Sequence, residues 1–327
     1  MDQVDRRLLN LLQSDLPLVE RPFAAVGEWL GLSEGEVMAR VERLKAEGFI
    51  RQISAIFDTR RLGYSSSLVA VKVPEERVDQ AAAVISQHPG VSHNYRRDHP
   101  FNLWFTIALP PEEDLKVAVE RLCAEAGVEA YCLLPTLQLF KIGVKLDVAQ
   151  EGAEIAGKEW HEAGERRSWG PLSQADKALI RELQEDIEIV SHPFAAPAQR
   201  LGVTQEALLA RARAMQEAGL IRRFAAVLHH RRAGFSANGM ACWRVPEEQI
   251  GEVGRTAASF PQVSHCYQRP TYPDWPYNLF TMIHARSKEE CEGIAEEISE
   301  QTGIDDYIIL YSTKEYKKTR VKYFIEG

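Results

Sequence analysis

A chain of 327 residues with 45% hydrophobic and 26% charged side chains has the composition of a globular protein with room for more than one core. No stretch approaches the roughly 18 uninterrupted apolar residues of a membrane span, and a net charge of -8 argues against DNA as the main partner, since phosphates call for a surplus of Lys and Arg. The polar opening residues and five scattered cysteines without a Cys-x-x-Cys pair point to a cytoplasmic protein with reduced thiols and no metal centre.

The first element is a helix of period 3.6 carrying Val4, Leu8, Leu11 and Leu12. A short second helix follows Arg21-Pro22, and a third starts at Ser33, whose partner Glu36 completes a capping box. Gly31-Leu32 makes the turn between them, and Gly48 suits a left-handed cap at the third helix's end. Ile50 to Phe57 then alternates as a strand, which completes a winged helix-turn-helix outline over residues 1–62. From 63 to 147 the pattern is strand (Leu68 to Val73), helix (Glu75 to Gln87), strand (Val91 to Arg97), strand (Leu103 to Leu109), helix (Glu112 to Ala126) and strand (Tyr131 to Lys145). That βαββαβ order is ferredoxin-like. Residues 148–172, rich in Gly and charge, read as a linker.

The chain then repeats itself. An offset of 171 aligns Asp5 with Asp176, Pro22 with Pro193, Gly31 with Gly202 and Gly63 with Gly234; it becomes 172 at Pro74 and Pro246, and grows by a further four before Asn102 and Asn278. The second copy thus runs as a winged helix-turn-helix over 173–233 and a ferredoxin-like domain over 234–327, with a longer loop from Pro270 to Tyr277. The predicted class is α+β, a tandem repeat of the two domains folded as an intramolecular pseudo-dimer. Further homo-oligomerisation is left open.

Within the third predicted strand both copies carry one triplet, His93-x-Tyr95-x-Arg97 and His265-x-Tyr267-x-Arg269, while the intervening Asn94 and Arg96 became Cys266 and Gln268. Residues at i, i+2 and i+4 of a strand share a face, so the triplet forms one row of polar chemistry. His and Tyr are proton donors and Arg a bidentate carboxylate binder. Two readings of the residues stand here, acid-base chemistry and ordinary sheet packing.

A winged helix-turn-helix before a ferredoxin-like domain, with Leu30-Gly-Leu-Ser-Glu-Gly-Glu-Val37 and Glu47-Gly-Phe-Ile-Arg-Gln-Ile-Ser-Ala-Ile-Phe-Asp58, resembles the Lrp/AsnC regulators in both halves. More specifically, Asp15-Leu-Pro-Leu-x-x-Arg21-Pro22-Phe23 and the His-x-Tyr-x-Arg strand followed by Asn-Leu resemble the siroheme decarboxylases, in the fused form of their subunit pair known from haem d1 biosynthesis. The resemblance implies an AsnC-type second domain and a carboxy-lyase that removes the C12 and C18 acetate carboxyls of siroheme. It implies no cofactor, since the iron arrives with the substrate, and it adds a third reading of the triplet, a histidine that ligates the substrate's iron. Departures are Arg21 against His192, and Trp104 against Phe280.

Siroheme bears eight carboxylates, so the expected site needs cations beside an apolar slot. His93 or His265 would donate the proton, assisted by Tyr95 or Tyr267, with Arg97 or Arg269 holding a carboxylate. Arg51, Arg223 and Lys318 are further candidate cations, with Lys314, Lys317, Arg320 and Lys322 in a strand-like terminal segment. Trp275 and Tyr277 would cover the macrocycle or pack on the sheet, and Asn102 and Asn278 complete the substrate-binding set. The third helix mixes Arg40, Arg43 and Lys45 with Glu34, Glu36, Glu42 and Glu47, which cancels attraction to phosphate. A decarboxylase is therefore the leading reading, and a ligand- or haem-responsive Lrp/AsnC-type regulator the alternative.

Overall fold

The computed structural model describes residues 1–142, 169–228 and 237–325, with the short strands β7 (Leu146–Asp147) and β8 (Glu154–Ile155) pairing antiparallel between the first two spans. Most of the expected linker, and the His229-His230 and Arg231-Arg232 pairs, lie outside the described residues.

Copy one opens with α1 (Gln3–Ser14), α2 (Pro22–Leu30) and α3 (Glu34–Ala46). Their boundaries follow local chemistry. Asp2 and Asp5 form a capping box on α1, Pro22 begins α2, Gly31 ends it at φ 71, and Ser33 and Glu36 cap α3. In copy two, α6 (Gln174–Leu183), α7 (Ala195–Arg200) and α8 (Gln205–Glu217) repeat the unit, with a Ser173 and Asp176 box where copy one has Asp2 and Asp5. Leu8, Leu12, Phe23 and Val41 join Ile180, Phe194, Met215 and Phe224 in one buried cluster, so the two helical units share a core.

The expected wings are shared too. β1 (Ile50–Phe57) pairs antiparallel not with a strand of its own copy but with β9 (Ile221–Leu228) of the other. After β1 the chain turns through Gly63 at φ 83 straight into the next domain, leaving β1 an open edge that the repeat covers. The cations of α3 are engaged: Arg40 contacts Asp2 and Asp5, Arg43 contacts Asp5 at 2.7 Å, and Lys45 contacts Asp186. On α8, Arg211 pairs with Asp176 and Arg213 donates to the Leu18 carbonyl.

Each second domain is ferredoxin-like, as expected. Copy one supplies β2 (Ser65–Lys72), α4 (Val78–Gln87), β3 (Val91–Arg97), β4 (Leu103–Leu109), α5 (Leu115–Ala126) and β5 (Ala130–Pro135). Copy two supplies β10 (Ala237–Trp243), α9 (Ile250–Ser259), β11 (Val263–Gln268), β12 (Leu279–Ala285), α10 (Lys288–Thr302) and β13 (Tyr307–Lys318). The predicted last strand of copy one breaks after Pro135 and resumes as β6 (Gln138–Ile142). All the strands of the two domains form one nine-stranded sheet of order β5-β2-β4-β3-β13-β10-β12-β11-β6.

The order records an exchange. The second half of β13 crosses to pair with β3 of copy one, and β6 crosses to pair with β11 of copy two. β5 and β6, at opposite ends of the order, are joined by Thr136 and Leu137, so the chain closes the sheet on itself. Between the copies lies an apolar cluster of Leu134, Trp104 and Phe101 from one and Met240, Trp275, Phe280 and Leu310 from the other. The five cysteines are free thiols, all buried, as their spacing suggested. Among the described residues no helix is long and apolar enough to cross a membrane.

Beyond β13 the chain docks back on the helical units. Thr319 N donates to the Ser92 carbonyl at 2.8 Å, and Gln184 holds both the N–H and the carbonyl of Tyr323. Tyr323 stacks edge-on against Phe57 and Tyr64, and the Phe324 N–H reaches the Tyr64 hydroxyl.

Candidate active site

The two triplets occupy matching places on β3 and β11, Arg269 lying one residue past the end of β11, and their imidazole and phenol members match closely. His93 and Tyr95 ring centroids are 6.1 Å apart at 33°, and those of His265 and Tyr267 are 5.9 Å apart at 32°. All four side chains are partly buried, the condition under which a proton donor is shielded yet reachable.

A bulge precedes each histidine, between Val91 and His93 and between Val263 and His265. There the simple alternation of faces fails, and a serine next to each histidine reaches its ring. Ser92 Oγ lies 3.0 Å from His93 Nδ1, and Ser264 Oγ 2.7 Å from His265 Nδ1. With Nδ1 held, Nε2 is the nitrogen of His93 left to meet a substrate. Sequence reasoning missed these serines, although the repeat spelled Val-Ser-His in both copies.

The guanidinium members behave differently from expectation. Arg97 is 6% exposed and its Nη1 donates to the Leu310 carbonyl at 2.8 Å; Arg269 is 9% exposed and its Nη1 donates to the Leu134 carbonyl. Leu310 on β13 and Leu134 on β5 are equivalent residues, each paired within its own copy, so each arginine ties its row to the other copy. Burial pulls both guanidinium pKa values down to about 10, and the Nε of each has no hydrogen-bond partner. Their visible work is to clamp the halves; a cavity of about 590 Å³ lined by Arg96, Arg97, His99, Asn102 and Lys314 opens beside Arg97, off the histidine end of the row.

Three other candidates have their side chains engaged within the protein. Asn102 uses both ends of its amide on the N–H and carbonyl of Val73, and Asn278 does the same to Val245, so both are strand clamps rather than substrate ligands. Trp275 is fully buried and packs edge-on against Trp104 at 5.0 Å and Phe101 at 5.9 Å. It fills the junction between the copies, the packing alternative of the two the sequence offered. Tyr277 packs edge-on against Trp275 at 5.3 Å.

The remaining cations gather at one histidine. Lys318 stands opposite His93 in the β3–β13 ladder, and Arg51 Nη2 donates to the Lys318 carbonyl at 3.2 Å. Arg223 stands opposite Ile56 on the shared ribbon, close enough to Arg320, with Arg51, for their charges to lower its pKa, after burial, the larger cause. Arg320 Nη1 donates to Ser54 Oγ at 2.6 Å. Among the described residues none of these four pairs with a carboxylate within 4.0 Å. Burial first, then Lys318 and Arg51, push the His93 imidazole down to about 4, so it is neutral near pH 7.

Around the second row the same positions read differently. Ile142 stands opposite His265, and Gln52 occupies the place of Arg223. Arg222, the equivalent of Arg51, is held by Asp58 at 3.0 Å. Burial chiefly raises Tyr267 to about 12. Ser264 also contacts His284 Nε2 at 2.6 Å, whose Nδ1 meets Asn238 Oδ1 at 2.5 Å; copy one has Ala108 where His284 stands.

Comparison with known proteins agrees with this architecture. Residues 61–141 and 232–317 match the family model described as an AsnC-like ligand binding domain, and residues 5–51 and 176–222 match the siroheme decarboxylase NirDL-like HTH domain. The chain is 43% identical over 323 residues to the siroheme decarboxylase of Hydrogenobacter thermophilus, covering 98% of this chain and 95% of that protein. A half-length relative, the siroheme decarboxylase beta subunit of Methanosarcina barkeri, is 48% identical over 151 residues, 46% of this chain and 99% of its own length. The crystal structure of the siroheme decarboxylase NirDL in co-complex with an iron-uroporphyrin III analogue superposes with a TM-score of 0.79 at 36% identity, covering 99% of this chain and 95% of that one.

Proposed function

The chain belongs to the siroheme decarboxylase family, and we propose that it removes the two ring acetate carboxyls of siroheme, at C12 and C18, with His and Tyr of the repeated rows delivering protons. The near-full-length likeness to a siroheme decarboxylase carries this reading, and the His-Tyr rows give it a chemistry. For each acetate, the bond between methylene and carboxylate breaks, carbon dioxide leaves, and the bonding pair flows into the pyrrole. One proton then adds to the methylene carbon and yields a methyl group. The macrocycle is its own electron sink, and no cofactor is called for beyond the iron inside the substrate.

Imidazole N–H or phenol O–H near the ring edge supplies that proton, a contribution of about 10² to 10⁴ in rate for a positioned donor. The serine on each histidine fixes the ring's orientation. Support for reading the helix-turn-helix as a structural module comes from Arg40 and Arg43, which are drawn onto Asp2 and Asp5. Placement of the product in haem d1 biosynthesis follows from the fused architecture by analogy.

Anaerobic incubation of purified protein with siroheme tests the proposal. Product lighter by two carbon dioxide units is expected; unchanged siroheme together with tight, salt-sensitive binding of duplex DNA would sink it.

A further inference from the structure

We propose that the siroheme pocket of this chain is its first half, at His93, and that Arg320 of the C-terminal segment holds a substrate carboxylate there, alongside Arg51, Arg223 and Lys318. This rests on the siroheme reading and goes beyond it in assigning the half and a residue.

The cradle is assembled from three separate parts of the chain. Arg51 comes from β1, Arg223 from β9, and Lys318 and Arg320 from the end of β13 and the segment after it. Arg51, Arg223 and Arg320 are each only partly exposed. Bringing like charges together under partial burial costs free energy unless something negative joins them. Among the described residues no carboxylate lies within ion-pair distance of any of the four, Asp15 reaching Arg223 only by its charge from farther off, and a polyanionic macrocycle fits that deficit.

Arg320 is placed with care. On one side of it Thr319 is pinned to the Ser92 carbonyl, on the row's own strand. On the other, Tyr323 is gripped by Gln184 and its hydroxyl meets Thr59 Oγ1 at 2.7 Å. A segment fastened at both ends holds a long side chain beside Ser54 at little further entropic cost. Around His265 the described residues offer fewer cations: the partner strand offers Ile142, Arg222 is held by Asp58, and Arg60, whose charge reaches Tyr267, donates to the Thr136 carbonyl. The Asp58 position in copy two is His229, so sequence alone denies Arg51 the matching carboxylate.

Full-length protein titrated with iron-uroporphyrin III, followed by the shift of its Soret band, reads binding without turnover. Loss of one charged contact predicts a dissociation constant about 10- to 100-fold weaker for Arg320→Met, with part of the affinity restored in Arg320→Lys. With siroheme, the same variant should raise KM about as much and leave kcat within about threefold. Ser54→Ala separates grip from latch: it is expected to cost less than about threefold in binding. Wild-type affinity in Arg320→Met, or a loss in Ser54→Ala equal to that in Arg320→Met, overturns the assignment. Should Arg320→Met fail to fold, Arg320→Lys and Arg223→Met carry the test on the same readout, where unchanged affinity in both overturns it. If the wild-type protein leaves siroheme intact, the functional reading fails instead, which is a distinguishable result.

Discussion

The two halves keep the same row of chemistry and surround it with opposite company. Around His93 stand Lys318, Arg51, Arg223 and Arg320. Around His265 the matching positions are apolar, neutral or paired with acid, while a hydrogen-bond chain through Ser264 and His284 ties the imidazole into its own domain. A duplicated site thus diverges less by losing its reactive groups than by changing what they are charged against. The geometry of the rings is retained to within a few tenths of an ångström.

The sharpest way to break this comparison is to remove each histidine. His93→Ala should lower kcat on siroheme by about 10² to 10⁴, and His265→Ala by a factor at least tenfold smaller; equal losses measured by initial rates would mean that both rows work. Next in size is a stability effect at the junction. Trp275→Ala removes a fully buried indole from the cluster both copies share and should cost about 3–5 kcal/mol, read as a lowered denaturation midpoint, with binding by the folded fraction retained. Were Trp275 a lid, affinity would fall and stability would not.

A smaller effect concerns pH. The free His93 imidazole titrates near 4, depressed by burial first and then by Lys318 and Arg51. Bound carboxylates oppose those cations and raise it, so the complex holds more protons than the free protein. Affinity for iron-uroporphyrin III should therefore rise as pH falls from 7 toward 5.5, with net proton uptake in calorimetry across buffers, and His93→Gln should abolish that uptake. The slightest effect is expected at His284: if the first half does the chemistry, His284→Ala changes kcat by less than about threefold. A loss as deep as that of His93→Ala would move the reaction to the second half.

Much of this was legible in the residues. The capping box at Ser33, the glycine turns, the ferredoxin-like order and the shared triplet are local signals, and local signals survive folding. What could not be read was pairing across the repeat. Alternation marks Ile50 to Phe57 as a strand without saying that its partner is 171 residues away rather than a hairpin neighbour. For the same reason Arg97 and Arg269 looked like ligands: a guanidinium on a polar row is ambiguous until the strand of the other copy that supplies its carbonyl is known. Asn102, Asn278 and Trp275 were ambiguous alike, since amide and indole serve backbone clamps and cores as readily as substrates. Arg320 gained its place only from the tail's docking, which leaves no periodic trace.

The crossing of the last strands also bears on mass action. In a two-chain arrangement such as the half-length relatives would require, the sheet exists only as far as the subunits find each other, and dilution dissolves it. Here β6 and β13 deliver their edges within one molecule, at an effective concentration of about millimolar set by the connecting chain. Within one chain the pairing therefore does not depend on how much protein is present.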